Sequence, residues 1–282
     1  MEEIAPRIYV ETGFRLVNVG AVVTDAGVIC IDVPPYPADA RRWKLQAQQL
    51  HPHGILYLIN TDHYRERVLG SQWLGAPVIT HQSTSERLRT YGNTFPQALV
   101  DALASRDPDA VDDLARVKVI QPEIVFDNGL TFHFGDQTIE LLHRPGSAPG
   151  STWICCPAQR VLFTGGTLVT DTHPNLIEAD TRQWLAVLEE MQRSYPGVHI
   201  VPGRGRVTDV RTVDLLARYV GQIRNRVSEL HSFGRPRSDT SSLVSEFLPM
   251  FPILEDTRDR TQRRIKAGVD RVYDELREGE KE

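Results

Sequence analysis

The sequence has few cysteines, no long apolar run and no excess of basic charge. Three cysteines among 282 residues are too few for a disulfide framework and fit a reducing cytoplasm. No stretch approaches the roughly 20 apolar residues that a membrane-spanning helix needs. The formal net charge of −5 lacks the basic footprint of a nucleic-acid-binding protein. We therefore expect a cytoplasmic protein that binds neither membranes nor nucleic acids.

The start of the chain also lacks the features of a secretory signal. Its first residues, Met-Glu-Glu-Ile, carry acidic rather than basic side chains, and no apolar segment follows them. With 40% hydrophobic and 24% charged residues, the composition is that of an ordinary globular protein. Nine histidines are enough for a metal site, so their positions decide whether one exists.

Short apolar runs separated by turn residues predict two groups of strands. The first group starts with a β-meander over residues 7–33. The second group lies between residues 123 and 201, with hairpin turns predicted at 127–129 and 135–136. The Asp-rich segment 94–117 between the groups is interpreted as a partly helical surface insertion. With helices predicted between the strands, this order indicates two sheets packed together and covered by helices.

The chain after residue 210 is predicted to be helical. Apolar side chains recur there at the three- and four-residue spacing of amphipathic helices. We interpret residues 211–282 as a helical extension that packs on the domain formed by residues 1–210 or on a partner subunit, which leaves a homo-oligomer open. The two apolar stripes consist of Leu216, Val220, Ile223, Val227 and Leu230, and of Ile265, Val269, Val272 and Leu276.

Five segments in the first 210 residues resemble, in order, the metallo-β-lactamase superfamily. The resemblance implies an α/β fold of four layers, an αββα sandwich of two mixed β-sheets flanked by helices. Residues 18–32 resemble the opening meander of the family and the aspartate at its strand end. The other matching segments are 59–61 with Gly70, 144–151 (family Pro-Gly-His-Thr-Pro-Gly), 162–166 (family Phe-Thr-Gly-Asp) and 201–205 (family Pro-Gly-His-Gly).

The resemblance implies a site for one or two metal ions, usually zinc, that activate water. The family holds these ions with a His-x-His-x-Asp-His loop, two later histidines and a bridging aspartate. Not one of the seven positions keeps the family residue here, and we expect neither zinc nor another metal cofactor. A shifted register that makes His63 the first ligand would put Arg65 at the second. In family order the seven positions hold Asp62, Tyr64, Glu66, Arg67, Ser147, Gly166 and Arg204.

The charges at these positions suggest what occupies the cleft instead. Asp62 and Glu66 are hard oxygen ligands of the kind that bind Mg²⁺, but Arg67 and Arg204 oppose a cation. The formal charges of these two acids and two arginines sum to zero. Because the planar guanidinium binds carboxylates with two hydrogen bonds, we predict that arginine–carboxylate pairs fill the space.

Four further side chains near the predicted cleft are candidates for catalysis. His63 and His173 are of the type that serves as a general base near neutral pH, although a hydrogen-bonded structural role is the interpretation we favour. Ser147 lies outside the Gly-x-Ser-x-Gly pattern of serine hydrolases, and Tyr64 offers only a hydroxyl. Cys155 and Cys156 alternate along one strand and are interpreted as buried thiols.

Three functions follow from these observations as hypotheses. The favoured one is a pseudoenzyme that binds a small molecule or a partner in the old active-site cleft, where arginines suit a small anionic ligand. The first alternative is a hydrolase-type enzyme that acts on an anionic ester or lactam without a metal or with a non-standard one. The second alternative is a structural scaffold that forms oligomers through its C-terminal helices.

Overall fold

The computed structural model describes residues 1–253 and 257–279, in which two β-sheets stack face to face between layers of helices. The first sheet runs in chain order across its seven strands, with antiparallel pairing up to the fourth strand and parallel pairing beyond it. Its strands are β1 (Glu2–Ala5), β2 (Ile8–Glu11), β3 (Val19–Val23), β4 (Val28–Ile31), β5 (Ile55–Ile59), β6 (Val78–His81) and β7 (Ile124–Phe126).

The second sheet has five strands, which also follow one another across the sheet in chain order. Its last two strands pair in parallel and the others pair antiparallel. Both sheets are therefore mixed, which confirms the predicted αββα sandwich. The strands are β8 (Gly129–Phe134), β9 (Gln137–His143), β10 (Thr152–Cys156), β11 (Val161–Phe163) and β12 (His199–Val201).

Helices cover the outer face of each sheet. Among the described residues, no helix combines the length and the apolar character needed to cross a bilayer. The α-helices are α1 (Pro37–Gln48), α2 (Arg65–Val68), α3 (Ser71–Leu74), α4 (Gln82–Tyr91), α5 (Gln97–Ala104), α6 (Val111–Leu114), α7 (Thr181–Ser194), α8 (Val213–Ser232), α9 (Val244–Phe247) and α10 (Arg258–Gly279). Short 3₁₀ segments lie at Pro108–Ala110, Gly165–Thr167, Val210–Thr212, Arg237–Leu243 and Leu248–Met250.

Alternation along the central strands divides the core into layers. Ile29 and Ile59 of the first sheet meet Ile154 and Phe163 of the second sheet in the space between the sheets. The strand residues next to them point outward, toward Trp43 of α1 or Trp184 of α7. Side chains of successive strand residues lie on opposite faces, so each strand contributes to two apolar layers.

The adjacent cysteines follow the same alternation. Cys156 lies in the layer between the sheets, whereas Cys155 packs in the outer layer with Trp153. Both thiols are buried, as predicted, and burial raises the pKa of Cys156 to about 12 and that of Cys155 to about 11. Thiolates are therefore scarce at neutral pH, which matches a packing role.

One predicted hairpin is wrong. Residues 127–128 connect β7 in the first sheet to β8 in the second sheet, so this turn crosses between the sheets. The turn at 135–136 does form the predicted hairpin, between β8 and β9. Asp, Asn and Gly suit any tight change of direction, and the local sequence therefore does not distinguish a hairpin from a crossing.

The segment 94–117 is partly helical, as predicted, but it is more than a surface insertion. Leu103 and Leu114 are fully buried and belong to an apolar cluster with Leu69. Its polar residues face outward, which explains why the composition alone indicates a surface segment. This small cluster brings the end of α5 close to the end of the sandwich.

The helices after residue 210 pack against their own chain. Both apolar stripes are largely buried, with Val220, Val269 and Val272 fully inaccessible. They join a cluster that includes Trp153 and Trp184 of the sandwich. The extension therefore closes one outer face of the second sheet and carries α10 to the edge where the strands end.

Candidate functional site

The predicted site positions converge at one edge of the sandwich. β5 and β11 lead into the loops that carry Asp62 and Gly166, and β12 leads into the loop of Arg204. A backbone hydrogen bond joins two of these loops: the Gly203 N–H donates to the Gly165 carbonyl at 2.8 Å. A Cβ on Gly166 would lie 3.0 Å from Asp62 Oδ2 and 3.5 Å from Ser147 Oγ. The fold thus brings together positions that are up to 142 residues apart, 204 − 62.

Arg67 lies between two buried carboxylates at this edge. Its Nη1 is 3.1 Å from Asp62 Oδ2, and its Nε is 3.4 Å from Asp32 Oδ2. Asp62 is fully buried, Asp32 is 2% exposed and Arg67 is 6% exposed. The predicted pairing of Arg67 with a carboxylate is therefore present. Sequence reasoning identified Asp32 only as a strand-end residue and missed its place in this network.

Asp32 is held in place by its backbone and by the neighbouring loop. It follows β4 with a φ of 55°, in the left-handed region that side chains seldom adopt. The Thr61 N–H and hydroxyl donate to its two carboxylate oxygens at 2.8 and 2.7 Å. Burial, with a contribution from Asp62, raises the pKa of Asp32 to about 7, although Arg67 and Thr61 act in the opposite direction.

The Arg67 guanidinium reaches the centre of the old ligand positions because glycine leaves room for it. A Cβ on Gly203 would lie 2.4 Å from Arg67 Nη2 and 2.4 Å from the Gly165 carbonyl oxygen. Gly166 leaves similar room, since its Cβ would be 3.5 Å from Nη2. One guanidinium thus lies among positions 62, 147, 166 and 203, where the resemblance implies metal ions.

Arg204 does not join this network, and its predicted ion pair is wrong. Within residues 1–253 and 257–279, no carboxylate lies within 4.0 Å of its side chain. Glu66, the nearest candidate, pairs instead with Arg65 at 3.4 Å. Burial and two arginines, Arg106 and Arg67, lower the pKa of Arg204, and Glu66 only partly offsets them. The cleft is therefore cationic rather than balanced.

Two adjoining cavities open at this edge. The inner cavity, of about 50 Å³, is lined by Tyr64, Glu66, Arg67, Ser147, Gly166, Arg204 and Arg264, among others. The outer cavity, of about 850 Å³, shares Arg204 and Arg264 with it and adds Arg15, Arg106 and Arg260. Six arginines and one glutamate thus line the inner and outer cavities together with Asp171, which pairs with Arg206 at 2.7 Å.

The residues present do not fit the metal ions of the family. In the described part of the chain, no group of three or more His, Cys, Asp or Glu side chains is placed to hold a metal ion. Zinc sites use three or four such ligands. The two carboxylates closest to the centre, Asp62 and Asp32, already face the guanidinium of Arg67, which a divalent cation would have to displace.

His173 lines both cavities, but its two ring nitrogens are engaged. Nε2 lies 3.1 Å from the Leu248 carbonyl oxygen and Nδ1 lies 3.0 Å from the Tyr219 hydroxyl. Since a carbonyl only accepts, Nε2 carries the proton and Nδ1 accepts from tyrosine. Burial and Arg264 lower the pKa of His173 against the effect of the Leu248 bond. An imidazole that is neutral and hydrogen-bonded at both nitrogens has a structural role.

His63 lies beside the cleft rather than in its lining. It is 4% exposed, its Nε2 is 3.2 Å from Glu178 Oε2, and its ring packs against Tyr64. Glu178, which sequence reasoning missed, also pairs with Arg87 at 2.7 Å. His63 is not among the residues that line either cavity.

In the described structure the hydroxyl groups of the cleft form their hydrogen bonds with oxygen atoms and not with a histidine. Ser147 Oγ is 3.0 Å from Ser151 Oγ, and the Tyr64 hydroxyl donates to the Ser147 carbonyl at 3.3 Å. Burial, Asp62 and other acids raise the pKa of Tyr64 well above its ordinary value. Both groups are therefore neutral hydrogen-bonding groups at physiological pH.

The arginines of α10 and of the α5 end are the site residues that sequence reasoning missed most clearly. Arg260 and Arg264 stand one helical turn apart in the basic run 258–264, on a face other than the stripe of Ile265 and Val269. That basic run was the sequence feature that could have indicated these arginines as site residues. It cannot be told from a solvated helix face without knowledge of what the helix packs against.

Comparison with known proteins identifies relatives of the fold. A family model described as the metallo-beta-lactamase superfamily matches residues 12–204. A metallo-beta-lactamase from Pontibacter korlensis is 18% identical, with a TM-score of 0.60 over 78% of this chain and 97% of that one. The DIM-1 metallo-beta-lactamase is 16% identical, with a TM-score of 0.60 over 78% and 96% of the two chains. No curated protein matches the sequence.

A third solved structure resembles almost the whole chain. It is a double mutant of the sec-alkyl sulfatase PisA1, 15% identical, with a TM-score of 0.69 over 97% of this chain. The match covers 49% of that protein, so this chain spans about half of its length. At these identities the comparisons establish a shared fold.

Proposed function

Because the chain belongs to the metallo-beta-lactamase superfamily, we propose that its cleft has changed from a metal site into a binding site for a small anionic molecule. One observation carries this proposal. The guanidinium of Arg67 lies between Asp62 and Asp32 at the centre of the old ligand positions. Arg204 and Arg264 line the cavity beside it.

The distribution of charge supports an anion rather than a cation as the occupant. Arg67 faces two carboxylates, and Glu66 faces Arg65, which leaves Arg204 and Arg264 without an ion pair among the described residues and only partly offset by Glu66. Burial lowers the pKa of Arg264, and the neighbouring Arg204 and Arg65 add to this, while Glu66 acts in the opposite direction. Guanidinium groups bind carboxylate, sulfate or phosphate oxygens with paired, charge-assisted hydrogen bonds.

Binding is better supported than metal-independent hydrolysis. A hydrolytic mechanism needs a group that activates water or a nucleophile, whereas the ring nitrogens of His173 and the hydroxyl of Ser147 are engaged. One structural neighbour is a sec-alkyl sulfatase by name, so an anionic ester remains the substrate class to test. The scaffold alternative is less supported, since the apolar stripes of α8 and α10 pack within the chain.

The proposal is tested by anion binding to the whole chain. Sulfate and inorganic phosphate should raise the melting temperature above that in chloride of equal ionic strength, because a ligand that binds only the folded state stabilises it. Arg204→Gln should weaken calorimetric binding by about tenfold or more, the loss typical of a charge-assisted hydrogen bond. Arg116→Gln, at an exposed position, is the matched control and should bind like the wild type.

Two results would overturn this proposal. One is stoichiometric zinc, iron or manganese in protein purified without chelator. The other is turnover of an alkyl sulfate, phosphoester, thioester or lactam that survives a chelator and disappears in Arg204→Ala, which would favour the hydrolase instead.

A further inference from the structure

The outer cavity is built by arginines from separate parts of the chain. Arg15 comes from the loop between β2 and β3, Arg106 from the end of α5, and Arg260 and Arg264 from the first turns of α10. Arg204 follows β12 and borders both cavities. At about 850 Å³, the outer cavity has the size of a small-molecule site.

Several of its charges are already balanced within the protein. Arg15 pairs with Asp107 at 2.5 Å, and its guanidinium stacks over Tyr36 at 3.8 Å from the ring centre. Asp171, an acid in the lining, pairs with Arg206 at 2.7 Å. These groups therefore contribute little net charge to the cavity.

Four arginines of the two cavities have no acidic partner in the part of the chain that the structure describes. Among residues 1–253 and 257–279, no carboxylate lies within ion-pair distance of Arg106, Arg204, Arg260 or Arg264. The Nε of Arg106 is buried and finds no acceptor in the described structure. The one hydrogen bond of the Arg264 side chain among these residues is long, at 3.4 Å to the His173 carbonyl. Much of the hydrogen-bonding capacity of these four side chains is therefore unused among the described residues, although Arg106 also forms a hydrogen bond with Tyr36.

These like charges act on one another. Burial lowers the pKa of Arg106, and the nearby Arg260, Arg65 and Arg264 lower it further. Close cations in a partly dry cavity repel each other more strongly than in water. A fold that gathers them from distant segments keeps them at a free-energy cost that a polyanionic ligand removes.

We propose that the ligand carries two phosphoryl groups on an organic spacer, one bound by Arg204 and Arg264 and the other by Arg106 and Arg260. This inference rests on the proposed function, because the inner group is the anion proposed above. Four arginines, of which Glu66 partly offsets two, call for about three to four negative charges. Two phosphoryl groups supply roughly −1.5 to −2 each, whereas two carboxylates supply only about −1 each. Phe14, Leu16 and Ile253 give the outer cavity an apolar wall for the spacer.

A calorimetric titration of the whole chain tests the two-group ligand. The probes are linear alkanediol bisphosphates of graded length, each compared with the alkyl monophosphate of equal length. At the best length, the bisphosphate should bind at least about tenfold more tightly, since it forms a second set of charge-assisted hydrogen bonds. Arg106→Gln should abolish this advantage and leave monophosphate affinity within about twofold.

Further variants locate the two groups. Arg260→Gln should reproduce the effect of Arg106→Gln, and neither variant should lower the melting temperature because each removes a repelling charge. Arg204→Gln should weaken both probes, and Arg116→Gln neither.

The outcomes separate this inference from the proposed function. Monophosphate binding that depends on Arg204, with no advantage for any bisphosphate, would overturn the two-group ligand and leave the anion site intact. Dicarboxylates that bind as tightly as bisphosphates would overturn the phosphoryl assignment. If neither phosphate class binds, the proposed function fails as well.

Discussion

At the scale of single residues, Arg67 stabilises the cleft because the carboxylates beside it are buried too. Asp62 and Asp32 have almost no access to solvent, and an unpaired charge there would cost several kcal/mol. The two buried carboxylates therefore need the charge of Arg67, and Arg67 needs theirs, for all three groups to remain buried. The single positive charge of the guanidinium is smaller than that of a zinc ion, but it lies within 3.4 Å of both carboxylates.

Substitution of Arg67 should be strongly destabilising. We expect Arg67→Met to lower the free energy of unfolding at neutral pH by about 3–5 kcal/mol, the usual cost of removing one partner of a buried ion pair. Urea unfolding measures this loss. The exposed Arg42, 3.6 Å from Asp39, is the control, and Arg42→Met should cost less than about 1 kcal/mol. Equal losses in the two variants would contradict the buried network.

Asp32 should make stability depend on pH in an unusual direction. Its pKa is about 7 in the folded chain against 3.8 for an ordinary aspartate, so the folded state binds the proton more tightly. The contribution of Asp32 to the free energy of unfolding is therefore at its maximum below about pH 4 and is lost as the pH rises toward 7. The stability of the wild type relative to Asp32→Asn should fall across this window by up to about 1.4 kcal/mol per pH unit.

A second aspartate provides the control for this pH effect. Arg211 holds the pKa of Asp209 at about 2, so the Asp209 carboxylate stays charged between pH 4 and 7. Above about pH 5, where an unfolded aspartate is charged as well, the stability of the wild type relative to Asp209→Asn should therefore show no slope in denaturant unfolding. A flat or rising profile for Asp32→Asn would show that the buried carboxylate keeps its charge.

The residue scale also shows what the sequence could reveal about the site. The identities of Asp62, Arg67 and Arg204 were readable from the spacing of the family segments, and so was the failure of the metal pattern. The sequence did not show which arginine would pair with a carboxylate, because Arg67 and Arg204 are similar candidates until the loops are placed. Glu66 pairs with Arg65, and Arg204 therefore does not form an ion pair with it.

At the scale of elements, the loop after β12 controls the shape of the cleft. The Asn18 side chain donates to the Pro202 and Gly205 carbonyls at 2.9 and 2.8 Å. The Gly203 N–H donates to the Gly165 carbonyl at 2.8 Å. These bonds bring the loop so close to Arg67 that position 203 has no room for a side chain.

A methyl group at position 203 should therefore disrupt the cleft. Gly203→Ala would place Cβ 2.4 Å from both Arg67 Nη2 and the Gly165 carbonyl, and we expect a loss of about 1–3 kcal/mol in unfolding free energy together with weaker anion binding. Gly221→Ala, in α8 with its nearest contact at 4.0 Å, should be neutral or stabilising. If Gly203→Ala unfolds like the wild type, the loop is less tightly placed than described.

The positions of strands and helices were mostly predictable from the sequence, whereas the elements that each one packs against were not. Apolar runs identified β3, β4 and β5, and the stripes of α8 and α10 were correct because burial follows helical periodicity. The turn at 127–128 joins the two sheets instead of closing a hairpin, since its residues permit either path. Leu103 and Leu114 form a core inside a segment whose polar composition concealed it.

At the scale of the whole molecule, the cavity exists only because distant segments meet. Arg15 and Arg264 line the same cavity although 249 residues separate them, 264 − 15. No local pattern in the sequence indicates this meeting, which depends on the packing of α10 beside α8 on the sandwich. The helical extension therefore takes part in the site as well as covering the sheet.

The most direct test of the central claim is a crystal structure obtained with zinc selenate, with anomalous data collected at both the zinc and the selenium edges. Selenate is a sulfate-like anion, so the two edges distinguish a cation from an anion in the same cleft. We predict a selenium peak beside Arg204 and Arg264, with Arg67 still between Asp62 and Asp32 and no zinc among them. A zinc peak bound by Asp62 and Glu66 would contradict the account.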